Sequence, residues 1–482
     1  MLLRDELFLG GRFVPATGDT WLDVVSPITE QVFGRVPVPT VAEIDTAIDA
    51  AREAFDNGPW TRMPVAERAE HLRRVLKAFG SRVDEAIALQ TDEMGGTVTF
   101  TGATTRAMAP FLERVICDAE QVPMLETRHG VAGPVRVLRE PLGVAAGVVP
   151  WNAPLMVAVT KLVPSLLMGC PMVLKTAPES PLSAYLLAEA MVEAELPPGL
   201  VSIFSGGREI GEYLVAHPGV DKVTFTGSTA AGRAIASTCG QQLKPVTCEL
   251  GGKSAAILTP GVDIDTHLGS LVANSLGNAG QMCVATTRWL VHESQADDLR
   301  DAISARLSGM KVGNPHESDT AFGPLVARRQ LERVRGYVSS GVAEGATLAY
   351  GGDAPADLPV GCYLNPTVFT DVTNDMTIAQ EEIFGPVLSL ISYRTEAEAV
   401  AIANDSEYGL GGSVYADDPE HAFALASQLQ TGTCTINDSP TSGGGGPFGG
   451  YKNSGLGRER AAEGLHHFLQ LKSITLPAGY PS

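Results

Sequence analysis

Cys283 stands in the run Asn278-Ala279-Gly280-Gln281-Met282-Cys283-Val284-Ala285-Thr286-Thr287-Arg288, and Glu249 opens Glu249-Leu250-Gly251-Gly252-Lys253, 34 positions earlier. A thiol and a carboxylate in two such distinctive settings read as a nucleophile and a base. A cysteine can split a hard reaction into two easier ones by forming a thioester, provided that a base then activates the water that hydrolyses it. An ordinary thiol is mostly protonated at pH 7, so Cys283 calls for surroundings that favour its anion. The other cysteines (117, 170, 239, 248, 362 and 434) are scattered and contain no C-x-x-C pair, which argues against a disulfide framework and against a zinc site. Cys170 and Cys239 read as small buried hydrophobes. The pair His466-His467 lacks a metal-binding pattern around it and reads as two helix-face residues, so no metal is expected.

Two alternations of short apolar runs with helical stretches must position these groups. From Gly143 to Leu258 the runs are Val144–Val149, Met172–Leu174, Val201–Phe204, Val223–Thr226 and Ser254–Leu258, and this βαβ logic predicts a parallel sheet covered on both faces. Glu249 follows Pro245-Val246-Thr247-Cys248, which places it at the carboxyl end of a predicted strand, where α/β sheets bind ligands. Gly227 and Gly232 bracket a helix start just after Val223–Thr226, where free N–H groups would meet an anion. A second alternation runs from about Val262 to Asn437, with strands at Trp289–His292, Val387–Tyr393, Ser413–Tyr415 and Thr433–Asn437. Near the start, Leu7–Val14 reads as a hairpin turning at Gly10-Gly11. Thr40-Val41-Ala42-Glu43 has capping-box spacing ahead of the stripe Val41, Ile44, Ile48, Ala51, Phe55. Gly133–Glu140 and, more weakly, Leu469–Leu476 alternate apolar and polar residues, and Ser442–Gly446 is a glycine-rich loop.

At 482 residues the chain suits two or three domains. A net charge of −20 would repel phosphate backbones and anionic bilayers, so nucleic acid and membrane are poor partners. Asp5 and Glu6 follow Met1-Leu2-Leu3-Arg4 at once, unlike a signal peptide, and a cytoplasmic location is expected.

Pro150-Trp151-Asn152, Phe225–Gly232, Glu381-Glu382-Ile383-Phe384-Gly385-Pro386 and Pro447-Phe448-Gly449-Gly450-Tyr451-Lys452 complete an ordered set with the Glu249 and Cys283 motifs. Through these the chain closely resembles the NAD(P)-dependent aldehyde dehydrogenase superfamily, from about Leu7 to about Leu476. The resemblance implies an α/β fold with a Rossmann-like, doubly wound cofactor domain (1–119 and 141–250), a catalytic α/β domain (251–448), and oligomerisation segments (120–140 and 465–482) that build a homodimer or homotetramer. It implies that Cys283 attacks the aldehyde carbon, that the Asn152 amide and the Cys283 N–H hold the oxyanion, that Glu249 activates water, and that Lys161 and Glu459 relay the proton outward. NAD would lie against Pro150, Trp151, Lys175, Glu179, Gly227, Ser228, Gly232, Leu250, Glu382 and Phe384. Pro178 stands where the most NAD-selective members carry an acidic residue, three positions after the lysine; Glu179 is one step on, and use of NADP stays open.

By the same resemblance the substrate channel comprises Ala153, Val157, Thr160, Met282, Val284, Ser442 and Phe448. Most of these are small, no aromatic cage awaits a quaternary ammonium, and no Arg or Lys except Arg288 stands near Cys283 in sequence for a carboxylate tail. A medium-to-long aliphatic, terpenoid or aromatic aldehyde is expected. A CoA-acylating relative would tend to lack the glutamate base, and a non-catalytic binding or structural relative would have lost the thiol or the base; Glu249 and Cys283 argue against both.

Overall fold

A computed structural model describes residues 1–131, 133–439, 445–477 and 480. The local signals near the amino terminus act as their chemistry requires. Strands Glu6–Leu9 and Arg12–Pro15 form the hairpin, and Gly10 and Gly11 take φ of 58° and 86°, the left-handed pair that a tight two-residue turn needs. Thr40 caps helix Val41–Asp56: its Oγ1 accepts from the Glu43 N–H at 3.3 Å, while Glu43 Oε2 accepts from the Thr40 N–H at 2.7 Å. Ile44, Ala47, Ile48 and Ala51 then bury one face of that helix.

The first large sheet has eight strands, in the order 455–456, 246–249, 222–226, 145–148, 172–176, 201–205, 6–9, 12–15. Its five central strands are parallel, and Met172–Thr176 and Val201–Ser205 are buried throughout, as strands covered on both faces must be. The strand order reverses beside Ala145–Val148: the chain first builds outward through Met172–Thr176, then returns to add Lys222–Thr226 on the other side. Such a reversal opens a crevice at the carboxyl ends of the strands. Pro150-Trp151-Asn152 and Gly227-Ser228 leave from those two ends.

The second sheet has seven strands, ordered 347–350, 367–370, 387–393, 288–292, 255–258, 412–415, 435–436. Ala255–Leu258 corrects the sequence reading, which grouped it with the first alternation. It pairs in parallel with Arg288–His292 and Gly412–Tyr415, so the chain changes sheets across Leu250–Ser254. A short apolar run does not reveal which sheet will take it, and the edge of the first was already closed by the return strand Gly455–Leu456. Thr367–Thr370 and Thr347–Tyr350 carried no recognised signal, and the strand expected at Thr433–Asn437 shrinks to Thr435–Ile436.

Leu469–Thr475, Gly133–Pro141 and Leu125–Gly130 form a separate antiparallel sheet, with Leu469 opposite Pro141 and Thr475 opposite Val135. Leu469–Thr475 is an edge strand, and Leu471 and Ile474 on it are exposed. Among the described residues, no helix is long and apolar enough to cross a membrane.

Candidate active site

The segment carrying Cys283 is held in a costly conformation. After helix Ile264–Leu276, Asn278, Ala279 and Gly280 take consecutive left-handed φ values of 53°, 52° and 73°, a run that L-residues rarely adopt. A Cβ at Gly280 would strike the Gly385 carbonyl, so this turn packs backbone on backbone. Side chains tie the loop to the first sheet: Asn278 Nδ2 donates to the Asn152 carbonyl at 3.1 Å, and Asn152 Nδ2 donates to the Gln281 carbonyl at 2.9 Å. Asn152 Nδ2 also lies 4.0 Å from Met282 Sδ. The expected pairing of Asn152 with the cysteine loop is therefore present, and its amide has a second N–H to spare.

The surroundings of Cys283 differ from the thiolate-favouring site anticipated above. Desolvation, then Glu382 and Glu249, push the thiol up to about 12, opposed by Arg460 and by the residue's own backbone N–H. Burial and two neighbouring carboxylates cannot be read from a linear motif.

Glu249 ends strand Val246–Glu249, is 2 % exposed, and has no hydrogen-bond partner on either carboxyl oxygen among the described residues. A Cβ at Gly449 would come within 2.6 Å of Glu249 Oε1, so only a glycine lets the Pro447–Lys452 segment close over it. Burial first and Glu459 second hold its pKa well above the usual carboxylate range, against Lys161, Arg458 and Arg460. Lys161 and Glu459 are brought together: Lys161 Nζ is ion-paired with Glu459 Oε1 and donates to Thr224 Oγ1 at 3.1 Å. Both line a cavity of about 10 Å³, room for one water, together with Thr160, Thr247, Arg460 and His467. Lys222, missed in the sequence, donates to Thr247 Oγ1 at 2.6 Å from the far side, and burial lowers it to about 8.

On the cofactor side, the rings of Trp151 and Phe384 meet edge to face at 5.4 Å and 89°. Phe384 holds φ of 61°, and Gln330 Nε2 pins its carbonyl at 2.7 Å. Glu382 Oε1 accepts from the Gly252 N–H at 3.0 Å, and burial raises its pKa to about 7. Ser228 is the N-cap of helix Thr229–Gln241: its Oγ accepts from the Ala231 N–H at 3.3 Å, which leaves its own O–H for an anion. Gly232 does not offer a donor, because its N–H is taken by the Ser228 carbonyl at 2.9 Å. A Cβ there would strike the Leu250 side chain, so Gly232 and Leu250 bring the helix close to the strand end. Gly227 likewise spends its N–H on the Glu249 carbonyl at 3.0 Å. Lys175 is lowered to about 8 by burial, against Glu179 and Glu209. Glu179 is already engaged: Arg329, from helix Arg328–Ala343, is ion-paired with it.

Along the expected channel, Ala153 and Thr160 are buried while Val157, Met282, Val284 and Phe448 remain partly exposed. Thr160 Oγ1 donates to the Val157 carbonyl at 2.8 Å, which turns its polar atom away and leaves its methyl group. Ser442 lies outside the described residues. Arg288 is not available to a substrate: it donates to the carbonyls of Lys253, Ile402 and Ala403 and to Asn374 Oδ1 at 2.8–3.0 Å. The cation that does reach the site is Arg460, whose Cζ sits 4.5 Å from the centre of the Phe448 ring. The signal was its place directly after Glu459, within the same motif.

The model of the aldehyde dehydrogenase family matches residues 13–474. Geranial dehydrogenase from Castellaniella defragrans is 40% identical over 478 residues, covering 98% of this chain and 99% of that protein. Betaine aldehyde dehydrogenase 1 from Oryza sativa subsp. japonica is 37% identical, covering 98% of this chain and 95% of that protein. A Mycobacterium tuberculosis aldehyde dehydrogenase, solved in complex with NAD+, superposes with a TM-score of 0.96 at 43% identity over 100% of both chains.

Proposed function

The chain belongs to the aldehyde dehydrogenase family and oxidises aldehydes with NAD, and from that premise we propose a route through a thioester on Cys283 that Glu249 hydrolyses. The observation that carries this reading is Glu249 itself, a buried carboxyl with no hydrogen-bond partner among the described residues and a raised pKa, which is what a base poised for water requires. The residues present fit the dinucleotide: the capped helix start at Ser228 suits its phosphates, and Trp151, Phe384 and Glu382 suit its nicotinamide end. When bound, NAD supplies the acceptor for the hydride that leaves the aldehyde carbon.

The steps assigned to this chain follow. Cys283 Sγ adds to the aldehyde carbon as its thiol proton passes to solvent, and the oxyanion is held by the spare Asn152 N–H and the Cys283 backbone N–H. Once the hydride has gone, a thioester remains. Glu249 takes a proton from water, the hydroxide adds to the thioester carbon, and collapse releases the acid and restores Cys283. The Lys161–Glu459 pair, with the water-sized cavity beside it, carries the proton away from Glu249.

For the substrate, the small wall at Ala153, Val157 and Thr160 supports a bulky, mainly apolar aldehyde, as does the likeness to a geranial dehydrogenase. Similarity to a betaine aldehyde dehydrogenase points the other way. Against it, Arg460 already occupies one face of the Phe448 ring, and a guanidinium there repels a quaternary ammonium. Each buried methylene is worth about 0.8 kcal/mol, so kcat/KM for octanal or a terpenoid aldehyde should exceed that for acetaldehyde by about 100-fold or more. A preference for acetaldehyde or betaine aldehyde would sink this assignment. Run with both cofactors, the panel also reads cofactor choice. NAD is expected to win, since Glu179 keeps a carboxylate near Lys175, and faster turnover with NADP would contradict that.

The exposed edge Leu469–Thr475 is assigned to a contact between copies of the chain, because an unpaired edge bearing Leu471 and Ile474 invites a partner. Truncation from Ser473 onward should give smaller or insoluble species by size-exclusion with light scattering; an unchanged soluble oligomer would refute the assignment.

A further inference from the structure

We propose that Arg460 is a positioning residue for the nucleophile, its otherwise unpartnered guanidinium steadying the anion that forms on Cys283. The proposal rests on the reading of Cys283 as nucleophile and extends it.

A guanidinium withdrawn from water is normally matched by carboxylates or carbonyls, because an unmatched buried charge is expensive. Arg288 shows the ordinary solution, with four hydrogen bonds to the protein. Arg460, partly buried, is different: among the described residues its side chain makes no hydrogen bond or ion pair, its Nε is buried without a partner, and its guanidinium lies over the face of Phe448. Its backbone is also held at φ 63° and ψ 170°, a region that essentially suits glycine alone. The Gly464 N–H, donating to the Arg460 carbonyl at 2.8 Å, anchors it there. A glycine would satisfy that backbone without strain, so the arginine side chain needs another reason to be present.

The neighbours supply one. Phe448 and Glu459 exchange two backbone hydrogen bonds of 2.7 Å, which sets Arg460 beside the segment that covers Glu249. Arg460 also lines the small cavity beside Thr160, Lys161 and Glu459. The charges that act most strongly on the Cys283 sulfur come from three elements: Glu382 in the Glu381–Pro386 segment, Glu249 at its strand end, and Arg460. The two carboxyls oppose a thiolate and the guanidinium favours it; Lys253, buried nearby, faces Glu382 instead. Among the charged side chains that act most strongly on the sulfur, Arg460 is the one cation.

The test is alkylation of Cys283 by iodoacetamide as a function of pH, without cofactor, read by peptide mass mapping in the wild type, Arg460→Leu and Arg460→Lys. Removing the cation should displace the profile upward, so that below its rising limb Arg460→Leu reacts about tenfold more slowly per unit of displacement, while Arg460→Lys stays near wild type. If Arg460→Leu does not fold, Arg460→Gln, also neutral, carries the same expectation. Turnover should follow, with kcat lowered and KM for octanal little changed. A neutral variant with the wild-type alkylation profile would overturn the proposal. That result would leave the nucleophile untouched, since Cys283→Ala tests it separately.

Discussion

Replacing Cys283 with alanine is expected to lower aldehyde turnover by at least about 10,000-fold, the scale of losing a covalent nucleophile, while NAD still binds. The two halves of that expectation have separate physical sources. The sulfur is the atom that bonds the substrate, and no other cysteine shares its setting: Cys170, Cys239, Cys248 and Cys362 are buried, and the exposed Cys117 and Cys434 lie on helix Met108–Glu120 and just before strand Thr435–Ile436. The expected cofactor contacts at Ser228, Trp151 and Phe384 do not involve the thiol. NADH formation and a titration of protein fluorescence with NAD check the two halves. Activity retained in Cys283→Ala would mean that the nucleophile is misassigned.

Glu249→Gln should behave differently, giving one rapid turnover per site and then stalling, with steady-state turnover down about 100- to 10,000-fold. Addition and hydride loss need Cys283 and Asn152, which the substitution spares, whereas thioester hydrolysis needs a base that glutamine cannot be. The fold should tolerate the change, since Glu249 makes no hydrogen bond to a described residue and its raised pKa favours the neutral form. The pH dependence has a definite sign. Because only the deprotonated carboxyl accepts a proton, wild-type hydrolysis should rise with pH through that raised pKa, and the rise should vanish in Glu249→Gln. Rapid mixing with detection of NADH reads the burst; continued turnover without a burst would contradict the assignment.

How much of this was legible in the sequence depended on how local the cause was. The hairpin at Gly10-Gly11 and the capping box at Thr40 could be read because a turn geometry and a cap are satisfied by residues two to four apart. The resemblance brought Asn152 and Cys283, and Lys161 and Glu459, to one site; the structure ties Asn152 to Gln281 in the loop before Cys283 and pairs Lys161 with Glu459. Ala255–Leu258 went to the wrong sheet because a run of four apolar residues fits either one. The pairing of Glu179 could not be read from the sequence, because its partner Arg329 is 150 residues away. Gly232 looked like part of a phosphate loop, yet its missing side chain makes room for Leu250. Arg460 was overlooked because arginines on a motif's flank are usually solvated, and only packing reveals one stacked on Phe448 without a counterion.

The most direct test of the central claim is mass spectrometry of Glu249→Gln mixed with NAD and octanal and quenched after the burst. The account predicts one octanoyl group per chain, mapped to the peptide containing Cys283 and removed by hydroxylamine, as a thioester should be. An unmodified Cys283 peptide, or an acyl group on a different residue, would contradict it.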